Sequence, residues 1–145
     1  MPIERYQVSL KVFLKNDEGK VLLLKNPSTT GIFAGHFDLP GGRIDVDELN
    51  TPFLDILRRE ISEEMGEVKT EIDPRPIGMS RATIKSEPKD IPVLFILFEG
   101  KYLGGDIVTN EEHEGYEWVV MEDLDLDKYF KPIHHDAMKQ YFNKR

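Results

Sequence analysis

The segment from Thr51 to Gly66 constrains the fold most, because it carries the pattern of an amphipathic helix. Thr51 can cap this helix and Pro52 suits its first position, where a missing N–H costs nothing. Apolar residues recur at every fourth position: Phe53, Leu57, Ile61 and Met65. The helix therefore has one apolar face that must pack against another layer of the fold. Gly66 suits a left-handed cap at its C-terminal end.

Strand-like segments lie on both sides of this helix. Alternating or continuous apolar residues predict strands over residues 6–15, 21–24, 68–72, 76–85, 91–98 and 116–120, with a brief extended piece over 37–40. Residues 131–143 have the pattern of a closing helix. The order of strands, one helix, strands and one helix indicates an α+β fold with a mixed sheet, rather than a regular βαβ alternation.

Length and composition limit the class of protein. The 145 residues suit one domain over residues 1–145, and the absence of cysteine excludes a disulfide framework, a zinc–thiolate site and a thiol nucleophile. The net charge of −8 disfavours binding to duplex nucleic acid. The longest apolar stretch, residues 91–98, is far short of the ~18 residues of a membrane span, so no membrane partner is expected. No apolar run at the N-terminus resembles a signal peptide, and a cytoplasmic location is expected.

Three glutamates share one face of the predicted helix. At about 100° per residue, Glu60, Glu63 and Glu64 project within an arc of about 100° near its C-terminal end. Like charges at this spacing repel one another, and the helix dipole disfavours anions at this end. The face is either simply solvated, as most surface charge runs are, or it binds a divalent cation such as Mg²⁺, which prefers oxygen ligands. The upstream pair Gly41-Gly42 lets the backbone approach a ligand closely and favours the cation site.

These residues resemble the signature of the Nudix hydrolases, G-x5-E-x7-R-E-U-x-E-E-x-G-U, in which U is a bulky apolar residue. Glu48 follows six residues after Gly42, and residues 59–66, Arg-Glu-Ile-Ser-Glu-Glu-Met-Gly, match the second half without a break. Two positions depart from the signature: ten residues rather than seven separate Glu48 from Arg59, and Glu67 occupies the last apolar position. The insertion is expected to lengthen the loop before the helix and to leave the helix in register.

The resemblance implies the Nudix fold, an α/β/α sandwich with a central mixed sheet flanked by helices. It also implies a Mg²⁺- or Mn²⁺-dependent hydrolase that cleaves within the diphosphate of a nucleoside diphosphate linked to a group X. The implied cation ligands are Glu60, Glu63, Glu64 and the carbonyl of Gly41. Arg59 is implied to pair with Glu48 or a neighbouring carboxylate, and so to hold the loop against the catalytic helix.

A second acidic loop, residues 110–118, precedes the last predicted strand and also resembles Nudix enzymes. Glu112 is selected from it as an extra ligand or general base, although glutamates in such a turn are often only solvated. Candidate phosphate contacts are Arg43, Arg81 and Lys25. Phe33 and Phe37 are candidates either for stacking on a nucleobase or for the core.

Histidines and the last strand are assigned no role in the site. His113 and His36 are predicted at the surface, and Trp118 with Tyr116 in the core. The run His134-His135-Asp136 is not expected to share an ion, because adjacent residues of a helix point about 100° apart.

Substrate and mode of action leave alternatives open. The compact chain favours a nucleoside triphosphate or another small nucleotide as the small-molecule partner, and the resemblance allows a homodimer. The alternative is a non-catalytic module that senses a nucleotide or metal ion on the same fold, although the intact R-E-x-x-E-E segment argues against it. A third interpretation is an interaction module with a metal-free acidic face. That module predicts that Glu63→Gln is neutral or slightly stabilising.

Overall fold

The computed structural model describes residues 1–27 and 35–143, so Phe33 lies outside the described residues. Within these ranges the chain forms eight strands and three α-helices. The strands are β1 (Gln7–Lys15), β2 (Lys20–Lys25), β3 (Phe37–Asp38), β4 (Gly41–Arg43), β5 (Lys69–Ile72), β6 (Gly78–Ile84), β7 (Ile91–Gly104) and β8 (Tyr116–Val120). The helices are α1 (Phe53–Met65), α2 (Leu126–Tyr129) and α3 (His135–Asn143). Short 3₁₀ turns cover Val46–Glu48, Met121–Asp123 and Pro132–His134.

The sheet is built around β1 and β7, which run parallel, with Gln7 opposite Val93 and Lys15 opposite Lys101. The other pairs in the described residues are antiparallel: β2 and β4 on β1, β3 and β8 on β2, and β5 and β6 on β7. One parallel pair within an otherwise antiparallel sheet makes the sheet mixed. The predicted α+β class and the mixed sheet are therefore confirmed.

Apolar layers cover both faces of the sheet. One layer joins the even-numbered residues of β1 to the buried face of α1: Leu10, Val12, Leu14, Ile56, Leu57, Ile61 and Met65. The other joins the opposite face to α3 and the segment before it: Phe13, Leu23, Leu97, Phe130, Ala137, Met138 and Tyr141. Each large apolar side chain buried in this way contributes about 1.5–3 kcal/mol of transfer free energy. Helices on both sides of the sheet give the α/β/α sandwich that the Nudix resemblance implies.

The two ends of α1 test the predicted caps. The predicted start was wrong by one residue: Pro52 is the cap, with φ −56° and ψ 142°, and the helix begins at Phe53. The carbonyl of Pro52 accepts hydrogen bonds from the amides of Asp55 and Ile56, at 3.1 and 3.2 Å. Gly66 ends the helix at the predicted position, with a φ of 81° that favours glycine.

The segment after β8 departs from the predicted single helix over residues 131–143. A 3₁₀ turn, Pro132–His134, comes first, and the α-helix starts only at His135. The preceding α2 is one turn long, too short to give a periodic pattern in the sequence. It is held by the Asp125 carboxylate, which accepts hydrogen bonds from the amides of Asp127 and Lys128 at 3.0 and 3.4 Å.

Strand β7 is longer than the predicted strand over residues 91–98. Its extension to Gly104 is paired with β1 as far as Lys101 and with β5 from Gly100 onwards. The extension is half exposed, so it lacks the continuous apolar run that marks the first half in the sequence. None of the helices within residues 1–27 and 35–143 is long and apolar enough to cross a membrane.

Candidate active site

Two glutamates of α1 line a cavity of about 410 Å³. Glu60 and Glu64 are one helical turn apart and reach this cavity past the short strand β4. Glu64 is only 4% exposed. The side chain of Glu63 is 56% exposed, forms an ion pair with Arg59 at 3.1 Å and does not line the cavity. Of the three glutamates predicted on one face, two therefore line the cavity and the third is exposed to solvent.

The glycine pair of β4 makes room for these glutamates. A Cβ atom on Gly42 would lie 2.5 Å from the carboxylate of Glu60, and one on Gly41 would overlap the carbonyl oxygen of Leu10. Gly41 also has a φ of 134°, which disfavours other residues. The amide of Gly41 donates a hydrogen bond to Oε1 of Glu64 at 2.8 Å. The glycines therefore bring the backbone of β4 into direct contact with α1.

Burial sets the protonation of the two glutamates in the cavity. Burial raises the pKa of Glu64 to about 8, although Lys11 and the Gly41 amide favour the charged form. Burial also raises the pKa of Glu60, with Arg59 opposing and Glu63 reinforcing the shift. A carboxylate that is costly to ionise in the folded chain is stabilised by a cation, so both side chains suit a metal ligand.

The loop before β8 brings Glu112 and His113 to the same cavity. Nε2 of His113 lies 3.8 Å from Oε2 of Glu64, and ligand atoms of Glu64, Glu112 and His113 lie within 4.8 Å of one another. His113 is 8% exposed, so its predicted surface position was wrong. The loop is held against the end of β2 because the Glu114 amide donates to the Lys25 carbonyl at 2.8 Å. Burial lowers the pKa of His113 and keeps the ring neutral, as metal ligation requires.

Arg59 joins the loop before α1 to the helix. Its Nε and Nη2 each donate to the Glu48 carboxylate at 2.7 Å, the pairing expected from the sequence. The same guanidinium lies 3.1 Å from Glu60 and 3.1 Å from Glu63. The hydrogen bonds from Arg59 lower the pKa of Glu48 and keep it charged. Arg59 thereby fixes the orientation of Glu60 at the cavity and holds Glu63 away from it.

A buried ion pair that the sequence analysis missed lies beside the glutamates. Nζ of Lys11 is 3.0 Å from Oδ2 of Asp38, and both side chains are 11% exposed. Burial alone would lower the pKa of Lys11, but Asp38 and Glu64 outweigh it and leave the pKa above its ordinary value. Burial likewise acts to raise the pKa of Asp38, but Lys11 outweighs it and the pKa is lowered. Both residues are therefore charged at neutral pH.

The remaining predicted residues separate into those inside and outside the cavity. Arg43 lies in its wall, where Nη1 donates to Oε1 of Gln7 at 2.8 Å. Arg81 is exposed along a different groove, with Nη1 3.4 Å from the Tyr6 hydroxyl. Phe37 packs edge-on against Tyr129, with ring centroids 5.4 Å apart, and is absent from the cavity lining. The structure therefore places Phe37 in an apolar layer and Arg81 away from the glutamates.

The neighbouring histidines at the start of α3, His134 in the 3₁₀ turn and His135 as the first residue of the helix, have different partners. Nε2 of His135 lies 3.1 Å from the carbonyl oxygens of Leu126 and Phe130. His134 lines the cavity, with its ring edge-on to Phe95 at 4.9 Å and Nε2 4.0 Å from Oδ1 of Asp38. Burial lowers the pKa of His134 to about 4. His134 is thus a neutral polar group in the cavity wall.

A larger groove, of about 850 Å³, lies at the far ends of β1 and β7, and its lining within residues 1–27 and 35–143 includes none of the predicted site residues. Its lining includes two ion pairs, Lys15–Glu99 at 3.0 Å and Arg75–Asp73 at 3.1 Å. The smaller cavity instead collects carboxylates around a buried glutamate. It also contains buried donor and acceptor atoms, Nδ2 of Asn26 and Nδ1 of His113, that have no partner among the described residues. The chemistry therefore favours the smaller cavity as the site.

The donors around this cavity are suited to a hard divalent cation. Carboxylates of Glu60, Glu64 and Glu112 supply oxygen atoms, and the neutral ring of His113 supplies a nitrogen. Mg²⁺ and Mn²⁺ prefer such oxygen-rich sites, often together with substrate phosphates. The acidic cluster can therefore bind a metal ion.

Comparison with known proteins decides the family. The family model described as NUDIX domain matches residues 5–141. The chain belongs to the Nudix family. Consistent with this, it is similar to the nucleoside triphosphatase NudI of Escherichia coli O81 (strain ED1a), with 32% identity over 116 residues, 77% of this chain and 80% of the relative. The NudI protein of Klebsiella pneumoniae (strain 342) is 33% identical over 118 residues, with the same shares covered.

The fold comparison agrees with the Nudix assignment. The crystal structure of the MutT protein from Methanosarcina mazei Go1 superposes with a TM-score of 0.78 and 25% identity, covering 99% of this chain and 98% of that protein. The family match, the similar relatives and the shared fold together identify this Nudix protein as a pyrophosphohydrolase.

Proposed function

We propose that this Nudix enzyme hydrolyses a nucleoside triphosphate, or another compact nucleotide, within its diphosphate in a Mg²⁺- or Mn²⁺-dependent reaction. The observation that carries the proposal is the meeting of Glu60, Glu64, Glu112 and His113 at one cavity. The similarity to relatives named nucleoside triphosphatase supports the choice of substrate. A volume of about 410 Å³ is within the range of small-molecule sites.

Glu60 and Glu64 are the proposed cation ligands from α1, with Glu112 added from the loop before β8. The bond from the Gly41 amide occupies Oε1 of Glu64, and Oε2 lies on the side of His113. Glu63 joins the set only if it exchanges its ion pair with Arg59 for the cation. When bound, Mg²⁺ or Mn²⁺ would neutralise phosphate charge and act as a Lewis acid on the diphosphate.

The other side chains bind and orient the substrate. Arg43 in the cavity wall is the proposed contact for a phosphate oxygen, in exchange for its bond to Gln7. Glu112 lines the cavity beside Glu64 and His113, so where it does not serve as a cation ligand it is the proposed general base for the attacking water. Arg59 acts through Glu60, which it holds at 3.1 Å, and Glu48 in turn holds Arg59.

The test is hydrolysis of a panel of nucleotides with Mg²⁺ or Mn²⁺, with the products separated by chromatography. The panel contains nucleoside triphosphates, ADP-ribose, nucleotide sugars, dinucleoside polyphosphates and NADH. We expect cleavage inside the diphosphate that is lost with a chelator and in Glu64→Gln. Glu67→Gln is the matched control, because Glu67 is exposed just beyond α1 and does not line the cavity. Turnover that persists in both the chelator and Glu64→Gln would contradict the proposal.

A further inference from the structure

Lys11 directs its ammonium group at three oxygen atoms of one short segment. Nζ lies 3.0 Å from Oδ2 of Asp38, 3.4 Å from the carbonyl oxygen of Leu39 and 3.3 Å from that of Gly41. A lysine ammonium has three N–H donors. Its full hydrogen-bonding capacity is therefore directed at residues 38–41, which end at the first glycine of the β4 pair.

The same segment is bound on its other side by α1 and β1. The Pro40 carbonyl accepts a hydrogen bond from the amide of Val12 at 3.0 Å. The Gly41 amide, on the same peptide group, donates to Glu64 at 2.8 Å. Lys11 holds the next carbonyl, that of Gly41. Two consecutive peptide groups are thus fixed between β1 and a buried glutamate.

We propose that Lys11 is a positioning residue of the active site, which acts with Asp38 to clamp residues 38–41 so that Gly41 holds Glu64 in place for a divalent cation. This inference rests on the proposed function, because it concerns how the proposed cation ligand is oriented. Lys11 lines the cavity, but its ammonium group is bonded to residues 38–41, and the proposed role is to position them and not to bind the cation. Its effect passes through the Gly41 backbone.

Loss of Lys11 alone is expected to have two opposite effects on cation affinity, one from the lost clamp and one from the lost positive charge. The ammonium is close enough to favour the charged forms of Glu64 and Glu60. A positive charge near carboxylates repels an incoming cation, so on electrostatics alone its removal should tighten cation binding. If the clamp matters, its removal should weaken cation binding despite the more negative site.

The principal variant is Lys11→Met with Asp38→Asn, which removes both charges, so that the net charge beside the site stays the same and no buried carboxylate is left unpaired; the more negative site arises only in the single variant Lys11→Cys below. Lys15→Met with Glu99→Gln is the matched control. Lys15 lies on β1, as Lys11 does, and its ion pair with Glu99 has the same length of 3.0 Å but lies at the larger groove. Mn²⁺ binding is measured by electron paramagnetic resonance, kcat and KM by steady-state kinetics, and folding by near-UV circular dichroism. We expect the Lys11 variant to bind Mn²⁺ about tenfold more weakly or worse, with a similar loss of kcat and a smaller change in KM. The control should match the wild type.

Chemical rescue provides a second measurement that does not depend on the double variant. The chain has no cysteine, so Lys11→Cys introduces a unique thiol. Aminoethylation of this thiol in denaturant, followed by refolding, restores an ammonium at nearly the same reach. We expect Lys11→Cys to lose Mn²⁺ affinity and the aminoethylated protein to regain most of it.

The outcomes separate the inference from the proposed function. Unchanged or tighter Mn²⁺ binding in the Lys11 variants, or no rescue on aminoethylation, would overturn the clamp while wild-type turnover stands. A wild type whose Mn²⁺ binding does not depend on Glu64 would overturn the proposed function and the clamp together.

Discussion

Ionisation of Glu64 is expected to make the metal-free protein less stable as the pH rises. Burial raises the pKa of Glu64 from 4.5 to about 8 in the folded chain. Between these pH values the folded state keeps a proton that the unfolded state has lost, so a stabilising contribution present below pH 4.5 is lost as the pH rises to about 8. At about 1.4 kcal/mol per pKa unit this amounts to about 5 kcal/mol. Such a loss is a large part of the ~5–15 kcal/mol by which domains are stable.

Urea unfolding of the wild type and Glu64→Gln, in a chelator and across about pH 5 to 8.5, measures this contribution. Glutamine keeps the shape of the side chain and cannot ionise. We expect the two proteins to have similar free energies of unfolding at the acidic end. At the alkaline end Glu64→Gln should be more stable by several kcal/mol. The m-values should stay equal, because the change alters charge and not the surface exposed on unfolding.

Addition of Mn²⁺ should reverse the order of the two proteins at alkaline pH. A cation that binds only the folded state stabilises it by mass action, and ionised Glu64 is the proposed ligand. The wild type should therefore gain stability with rising Mn²⁺ concentration, while Glu64→Gln gains little. An identical pH dependence in both proteins would refute the argument that burial of Glu64 opposes its ionisation.

The remaining predictions concern other residues around the cavity. Gly42→Ala should lower kcat by about tenfold or more, because the new methyl group would lie 2.5 Å from a glutamate carboxylate; a near-wild-type kcat in a folded variant would contradict this. Arg59→Met should cost about 10–100-fold in kcat/KM, and Mn²⁺ affinity should fall with it. Burial lowers the pKa of His134 from 6.5 to about 4, so the free energy of unfolding should fall by about 3 kcal/mol as the pH falls through this range. In His134→Leu, urea unfolding should show a smaller dependence on pH over the same range. Arg43→Ala should raise KM in steady-state kinetics, whereas Arg81→Ala, outside the cavity, should not.

The apolar pattern of the sequence predicts most of the scaffold, because it records which face of each element is buried. In α1 the predicted apolar positions Leu57, Ile61 and Met65 are buried. Phe53 has the same spacing but is 42% exposed, because it lies at the open first turn of the helix. Element ends were less accurate, since caps such as Pro52 depend on the path of the preceding loop.

Helical geometry could place the three glutamates on one face but could not assign their partners. Arg59 precedes Glu63 by one turn of the helix and binds it, and this leaves only Glu60 and Glu64 in the cavity. The spacing of Arg59 and Glu63 is visible in the sequence as an i,i+4 pair. The competition between that pair and a cation is visible only in the structure.

Long-range contacts account for what the sequence analysis missed. Lys11 stands between Leu10 and Val12, so it has the pattern of the solvent face of a half-buried strand. Its partner Asp38 is 27 residues away, and no local pattern joins the two. His113 lies in an acidic turn typical of a solvated loop, and it is buried only because the loop bonds to the end of β2. Each of these side chains derives its environment from another strand.

The three additional residues between Glu48 and Arg59 show which contact the spacing of the Nudix signature serves. Ten residues separate Glu48 from Arg59, yet both guanidinium bonds to Glu48 are 2.7 Å long. The loop absorbs the additional length because Glu48 closes the 3₁₀ turn through the Asp45 amide, and Leu49 then lies 80% exposed. The register of α1 is set by its buried face and not by the length of the loop. The function of the Glu48 position is therefore a contact with Arg59, and the distance along the chain can vary as long as that contact forms.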